Sequence, residues 1–507
     1  MDAHSSIAQS TLLLTLANLA MRGVSMLFQV YLTGQIGAAG IGLLQLILTV
    51  HCFAITLGTS GLRVAAMYLS AEEYGLRRFD GIRQAMVWCI GAGTLLSALV
   101  GGIMTLLAEP LAQSMVKDLR AVASLRLLGL TLPLTCLSAI LSGYFTASNQ
   151  VKKLVAVEIA DRIATVALTV WLLKLGIPGD QSHACIAIVG GGALASLGSV
   201  AVLLGMMLSD FRRYGAPKKH LGMGRRLVRI SVPVALNDYL RSGLGTMEQF
   251  LIPYGLARWG GSRNKAMADY GTIQGMVFPV LLLPSTVLYA VADLLVPELA
   301  RCRAQKNQFR IRHLTETCLH LGVLFSAMTG GLLYVISEPM GFLLYKSPEA
   351  GRYLQWFAPL IPMLYLDCIV DGMHKGLGQQ VYCVRVNTLT NLMDVVLLFL
   401  MLPRYGIVGY YFTYLFTHLV NFCLSLLRLL KLTGADPGGR FLTTTAGIVC
   451  LCVWFMRQFV PTAPRLGSIL VCGSIFLALT TSLLILTGCW KQEDGNYLLD
   501  MFRQKRC

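Results

Sequence analysis

Apolar runs of 20 or more residues, separated by short polar loops, set the pattern of this chain. They predict fourteen helices, over 10–33, 40–69, 84–107, 120–147, 154–174, 183–208, 229–256, 268–297, 316–337, 352–376, 382–402, 406–430, 440–460 and 466–489. About 20 apolar residues in a helix cross a hydrocarbon layer of about 30 Å. Longer runs imply tilt or extension beyond the bilayer. Barrel strands would instead alternate over about ten residues, and the runs do not alternate. The expected class is all-α, a polytopic membrane protein.

Polar residues inside the apolar runs are few and follow a helical period. In the first span Thr11, Thr15, Asn18, Arg22, Ser25 and Gln29 fall on one face. An arginine at bilayer depth costs about 2.5–3.5 kcal/mol, so Arg22 must face protein, water or an anion. The arrangement recurs 219 residues later, where Asn237, Arg241 and Glu248 replace Asn18, Arg22 and Gln29. Two further segments repeat. Pro133, Gly143 and Gln150 correspond to Pro362, Gly372 and Gln379; Gly58 to Arg63, leading to Glu72, corresponds to Pro284 to Tyr289, leading to Glu298. The repeat predicts two pseudo-symmetric six-helix bundles, residues 1–208 and 229–431, joined by a basic cytoplasmic linker at 209–228. Residues 432–507 add two transmembrane helices and a cytoplasmic tail. An even number of spans per half makes the repeat parallel, the architecture of transporters whose halves rock about a central site.

Composition agrees and narrows the partners. Only 13% of the 507 residues are charged, against about 25% in soluble proteins. The net charge of +17 would suit nucleic acid, but its lysines and arginines lie in short inter-helix loops. Of the 42 basic residues, 26 fall in one alternate set of loops and tails and 11 in the other. That bias puts both termini in the cytoplasm and excludes nucleic acid as a partner. The fourteen cysteines include no CxxC pair and read as small apolar residues. The N-terminus lacks the basic region of a cleavable signal. No phosphate loop, nucleophile elbow or zinc signature is present, so an enzyme is not expected.

Three groups of intramembrane residues are candidates for function. Arg22, Arg63 and Arg241 could offer positive charge to a central cavity, or pair with Glu248 and Asp293. The stripe Glu158, Asp161, Arg162, Thr165 on span five matches Asn387, Thr390, Asn391, Asp394 on span eleven. It lines a cavity or satisfies itself through a Glu158–Arg162 pair one turn apart; both readings stand. Asp238, the span-eleven stripe and Thr413 or Thr417 supply oxygens of the kind a small hard cation prefers. His51 and His418 are assigned no role.

The stretch Gly143-Tyr-Phe-Thr-Ala-Ser-Asn-Gln-Val-Lys-Lys153, continuing through Glu158 to Arg162, resembles the stage V sporulation protein B branch of polysaccharide flippases. So do Gly376-Leu-Gly-Gln-Gln380, Asn387 with Asn391, and Leu402-Pro-Arg-Tyr-Gly-Ile-Val-Gly409. Ala147 and Lys153 depart from the glycine and proline usual there. The resemblance implies the multidrug/oligosaccharidyl-lipid/polysaccharide exporter superfamily, which includes the lipid II flippases. It further implies outward movement of undecaprenyl-pyrophosphate-linked saccharide across a bacterial cell membrane by alternating access. On that basis Arg22, Arg63 and Arg241 meet the pyrophosphate, with Asn18, Asn237, Glu158, Asp161 and Arg162 beside them. A sodium ion is expected among Asp238, Asn391, Asp394 and Thr413, with no other cofactor. Membrane lipids and cell-wall synthesis enzymes are the expected partners. A cation-coupled multidrug or metabolite exporter, and a membrane glycosyl- or phosphotransferase using the same lipid carrier, are the alternatives.

Overall fold

The computed structural model describes residues 2–76 (side chains from residue 20), 78–175, 181–212, 222–436, 438–459 and 466–490. Among these residues every regular element is helical. Among the described residues nine helices are long and apolar enough to cross a membrane, and the bent pair Arg263–Leu282 and Ser285–Ala304 makes a tenth. Two of these helical stretches each hold two spans. Asp2–Thr59 breaks at Gly37 (φ 69°) and Gln380–Thr433 at Gly406 (φ 59°), left-handed values that glycine tolerates. Val151–Leu175 and Met223–Gly260 complete the expected fourteen. Both are charged enough to miss a purely apolar criterion, and both carry candidate functional residues. The chain is a multi-pass helical membrane protein.

Two compact units form, and they are not consecutive halves. One contains residues 35–254, the other residues 1–34 with 255–507. Span one therefore belongs with the C-terminal helices, while most of span seven belongs with the N-terminal ones. Spans one and seven are repeat mates, so the exchange preserves the pseudo-symmetry. Part of the expected linker, residues 213–221, lies outside the described residues, as does the tail from residue 491.

The internal repeat reappears in the packing of each unit. In the unit 35–254, a Cβ on Gly143 would lie 2.6 Å from the Arg63 carbonyl and 3.5 Å from Ala66 Cβ. In the other unit, a Cβ on the equivalent Gly372 would lie 2.8 Å from Ala292 Cβ, and Ala292 is the repeat mate of Ala66. Small residues let these helix backbones approach closely in lipid, where packing rather than water exclusion holds helices together. Around the Gly143 contact Leu62, Leu69, Met86, Ile140, Tyr144 and Phe145 form a buried core.

Candidate functional site

In the unit 35–254 the candidate residues gather around a break in span two. The helix stops at Thr59 and restarts at Leu62, with Gly61 at φ 76°. A Cβ there would overlap the Ser231 carbonyl of span seven, so glycine is required for both backbone shape and space. Breaking a helix frees carbonyls that lipid cannot satisfy, and side chains take them. Tyr239 donates its hydroxyl to Leu57 O at 3.1 Å, and the Cys136 thiol approaches Gly58 O at 3.6 Å. The Ser60 hydroxyl donates to Asp238 Oδ2 at 2.6 Å. Just beyond the break Arg63 is exposed, as are Glu158 and Arg162 on span five and Asn237 and Arg241 on span seven. Asp161 is half-buried, with Oδ1 lacking a partner.

The other unit repeats the device in span eight. Its two segments meet at 58° around Leu283–Pro284, where proline removes a helical donor. The Ser285 and Thr286 hydroxyls cap Leu282 O and Leu283 O at 2.7 Å each. Thr286 stands where Ser60 stands in the first half, and Tyr289 where Arg63 stands. Arg22 donates to Thr286 Oγ1 at 3.3 Å and lies over the Tyr289 ring, 5.5 Å from its centroid. The exchanged span thus docks on an equivalent hydroxyl in each unit, with an aspartate in one and an arginine in the other.

The same unit holds a polar ladder that sequence reading caught only at one end. Thr413, Thr417, Asn421 and Ser425 recur every fourth residue on span twelve, and all four are buried. Thr417 donates to Asp394 Oδ1 at 2.9 Å, and Thr390 to Asn421 Oδ1 at 3.3 Å. Asn421 Nδ2 donates to Asp367 Oδ1 and Oδ2 at 3.2 and 3.0 Å. His374 Nε2 lies 2.9 Å from Ser425 O. Asp367, Asp371 and His374 sit at i, i+4 and i+7 on span ten, a periodic signal present in the sequence that the repeat comparison passed over.

Arg241 pairs with no acid among the described residues, Glu248 included, and Arg22 does not pair with Asp293. The Glu158–Arg162 pair is not formed among the described residues; Arg63 of span two is a cation that acts on Glu158. Both span-five side chains are exposed, and an exposed pair gains little by closing. Among the cation candidates Asp394 and Thr413 are buried and Asn391 is half-buried. The Thr413 hydroxyl has no partner as a side chain. Asp238 lies in the other unit and accepts from Ser60. The side chains of Thr11, Thr15 and Asn18 lie outside the described residues.

Comparison with known proteins agrees with this architecture. The chain is 22% identical over 419 residues to stage V sporulation protein B of Bacillus subtilis (strain 168), covering 80% of each protein. Its fold is similar to that of the lipid II flippase MurJ in an inward closed conformation. That match has a TM-score of 0.71 and 12% identity, and covers 93% of this chain and 98% of that one. A multidrug resistance MATE family transporter of the MOP superfamily, in an inward-facing conformation, gives a TM-score of 0.64 and 12% identity. It covers 83% of this chain and 99% of the transporter. The model of one family, described as polysaccharide biosynthesis protein, matches residues 7–302, the stretch holding both broken spans and Arg22, Arg63 and Arg241. With more than half its length so matched, the chain belongs to the polysaccharide biosynthesis protein family.

Proposed function

We propose that the protein is a flippase that moves a lipid-linked saccharide, carried on undecaprenyl pyrophosphate, across the bacterial cell membrane. One observation carries the reading. Arg63, Arg162 and Arg241 stand exposed on spans two, five and seven, with no ion pair or hydrogen bond from their side chains among the described residues. Each would cost about 2.5–3.5 kcal/mol facing lipid, so they face water and await an anion. Guanidinium forks match the oxygens of a diphosphate. Arg22, beside Thr286, supplies a further cation in its own unit, and Glu158, Asp161 and Asn237 are the polar groups that spans five and seven carry with Arg162 and Arg241. Family membership supports this cargo, as do the names borne by the sporulation protein and the lipid II flippase. The cytoplasmic excess of basic loop residues places both termini inside.

Sodium fits the residues offered. Asp394, Asn391 and Thr413, which lie in one unit, would hold it through hard oxygen donors. The buried, unpartnered Thr413 hydroxyl is an acceptor in want of a cation. When bound, the ion would supply positive charge to an otherwise acidic site. The protein acts as a transporter rather than an enzyme, and enzymes of cell-wall synthesis that make and use the carrier lipid are its expected partners.

The test is reconstitution in proteoliposomes with a fluorescent saccharide on undecaprenyl pyrophosphate, alongside a cationic dye. Movement of the pyrophosphate lipid, lost in Arg241→Ala, is the expected result. Movement of the dye with no movement of the lipid would make the protein a drug exporter and end this reading.

A further inference from the structure

Arg22 is held by neutral groups alone. Its Nη1 donates to Thr286 Oγ1 at 3.3 Å, and its guanidinium lies over the Tyr289 ring, 5.5 Å from the centroid. Asp367 and Asp371 of span ten are near enough to act on Tyr289, yet no carboxylate pairs with Arg22 among the described residues. A carboxylate partner would orient the guanidinium and cancel its charge at the same time. A hydroxyl and an aromatic ring orient it and leave the charge for a ligand.

The break in span eight places both holders. Thr286 and Tyr289 stand three residues apart at the start of Ser285–Ala304, so they share one face of that helix. Thr286 is buried and gives its own hydrogen to Leu283 O, a carbonyl at the break, at 2.7 Å. That bond fixes the hydroxyl, whose oxygen then meets Arg22 as an acceptor. Tyr289 is 47% exposed, so its ring covers a cation rather than filling a core. With Nη1 given to Thr286, the Nε and Nη2 donors of Arg22 have no partner among the described residues. Those two nitrogens form an edge that can grip two oxygens of one phosphate.

The first half of the chain argues against a purely structural role. The mate of Tyr289 there is Arg63, and the mate of Thr286 is Ser60, whose hydroxyl goes to Asp238. An arginine fits where Tyr289 stands, so closing the break does not need a ring. One unit carries its cation on the broken span itself. The other carries there a platform for a cation borne by span one.

We propose that Thr286 and Tyr289 are positioning residues for Arg22, aiming the free Nε–Nη2 edge of its guanidinium at one phosphate of the lipid carrier. The inference rests on the flippase reading above and deepens it. Both residues touch the arginine and not the cargo, so their whole effect on binding runs through Arg22.

Binding of undecaprenyl pyrophosphate to the full-length protein in detergent, followed by thermophoresis, tests this, with thermal unfolding of each variant to confirm its fold. Tyr289→Leu should weaken binding by about 3–30-fold, whereas Tyr289→Phe keeps the ring and should stay within about twofold of the parent. Thr286→Val should weaken it by about 3–10-fold, and Thr286→Ser should restore it. If Thr286→Val does not fold, the two Tyr289 variants decide, because that side chain is half exposed. In an Arg22→Ala background Tyr289→Leu should cost nothing further, since nothing remains to be positioned. Equal losses from Tyr289→Leu with and without Arg22, or from the leucine and phenylalanine variants alike, would overturn the positioning role. So would an Arg22→Ala protein that binds like the parent, or a Tyr289→Leu protein that does so while Arg22→Ala binds weakly. Each of these leaves the flippase reading standing on the parent's own binding. A folded parent that does not bind the pyrophosphate lipid would instead overturn that reading, and this inference with it.

Discussion

Replacing Gly61 by alanine puts the broken second span to the test. Gly61 has φ 76°, and a left-handed conformation costs an L-residue with a Cβ about 1–2 kcal/mol. The new methyl group would also overlap the Ser231 carbonyl, which belongs to span seven and cannot rotate away. Overpacking of that kind adds about 1–3 kcal/mol. Together the two terms predict destabilisation of roughly 2–5 kcal/mol. If the helix relieves the overlap by moving, the Ser60–Asp238 and Tyr239–Leu57 hydrogen bonds at 2.6 and 3.1 Å are displaced, and Arg63 with them. Gly91→Ala is the matched control. Gly91 lies inside the helix Phe79–Leu106 with nothing within 4 Å of its missing Cβ, so alanine there should stabilise by about 0.5–1 kcal/mol. Thermal unfolding of both variants in one detergent, with flipping measured in proteoliposomes, gives the comparison. A Gly61→Ala protein as stable as the parent and equally active would refute the argument that this residue sets the break.

Further outcomes follow from single residues. Arg63→Ala and Arg241→Ala should each lower flipping by about 10–100-fold at unchanged thermal stability, with lysine restoring only part, because neither guanidinium holds the fold together and lysine loses the two-pronged contact. Glu73 is 3% exposed and bound to Arg226 at 2.9 Å, whereas Glu72, on the same arginine at 2.6 Å, is 42% exposed. Glu73→Gln should therefore cost about 1–3 kcal/mol and Glu72→Gln less than about 1 kcal/mol, read by thermal unfolding. Melting temperature should rise with sodium over potassium at equal ionic strength, and Asp394→Asn should abolish the rise, as expected for a ligand that binds only the folded state. A rise that persists in Asp394→Asn would place the ion elsewhere.

Much of this protein could be read along the chain because the bilayer imposes one-dimensional rules. A helix that spans hydrocarbon must be long and apolar, so the runs predicted its class and span number. An arginine inside such a run must answer to water or an anion, so Arg22, Arg63 and Arg241 announced themselves. The repeat offsets at Gly143 and Gly372, and at Ser60 and Thr286, were visible because equivalent packing needs equivalent small or hydroxylated residues. Only the tertiary structure decided which helices group together. Nothing in a local sequence says that span one belongs with the C-terminal helices and span seven with the N-terminal ones, since membership of a bundle depends on contacts hundreds of residues apart. The same holds for hydrogen bonding. Glu158 had Arg162 one turn away on paper, whereas in the fold Arg63, from a different span, is a cation that acts on it. The acids of span ten were legible as a periodic stripe, but their meaning came from Asn421 and Ser425, brought against them from a helix about fifty residues away. Side-chain period tells which residues share a face; what that face meets is set by the packing of the whole chain.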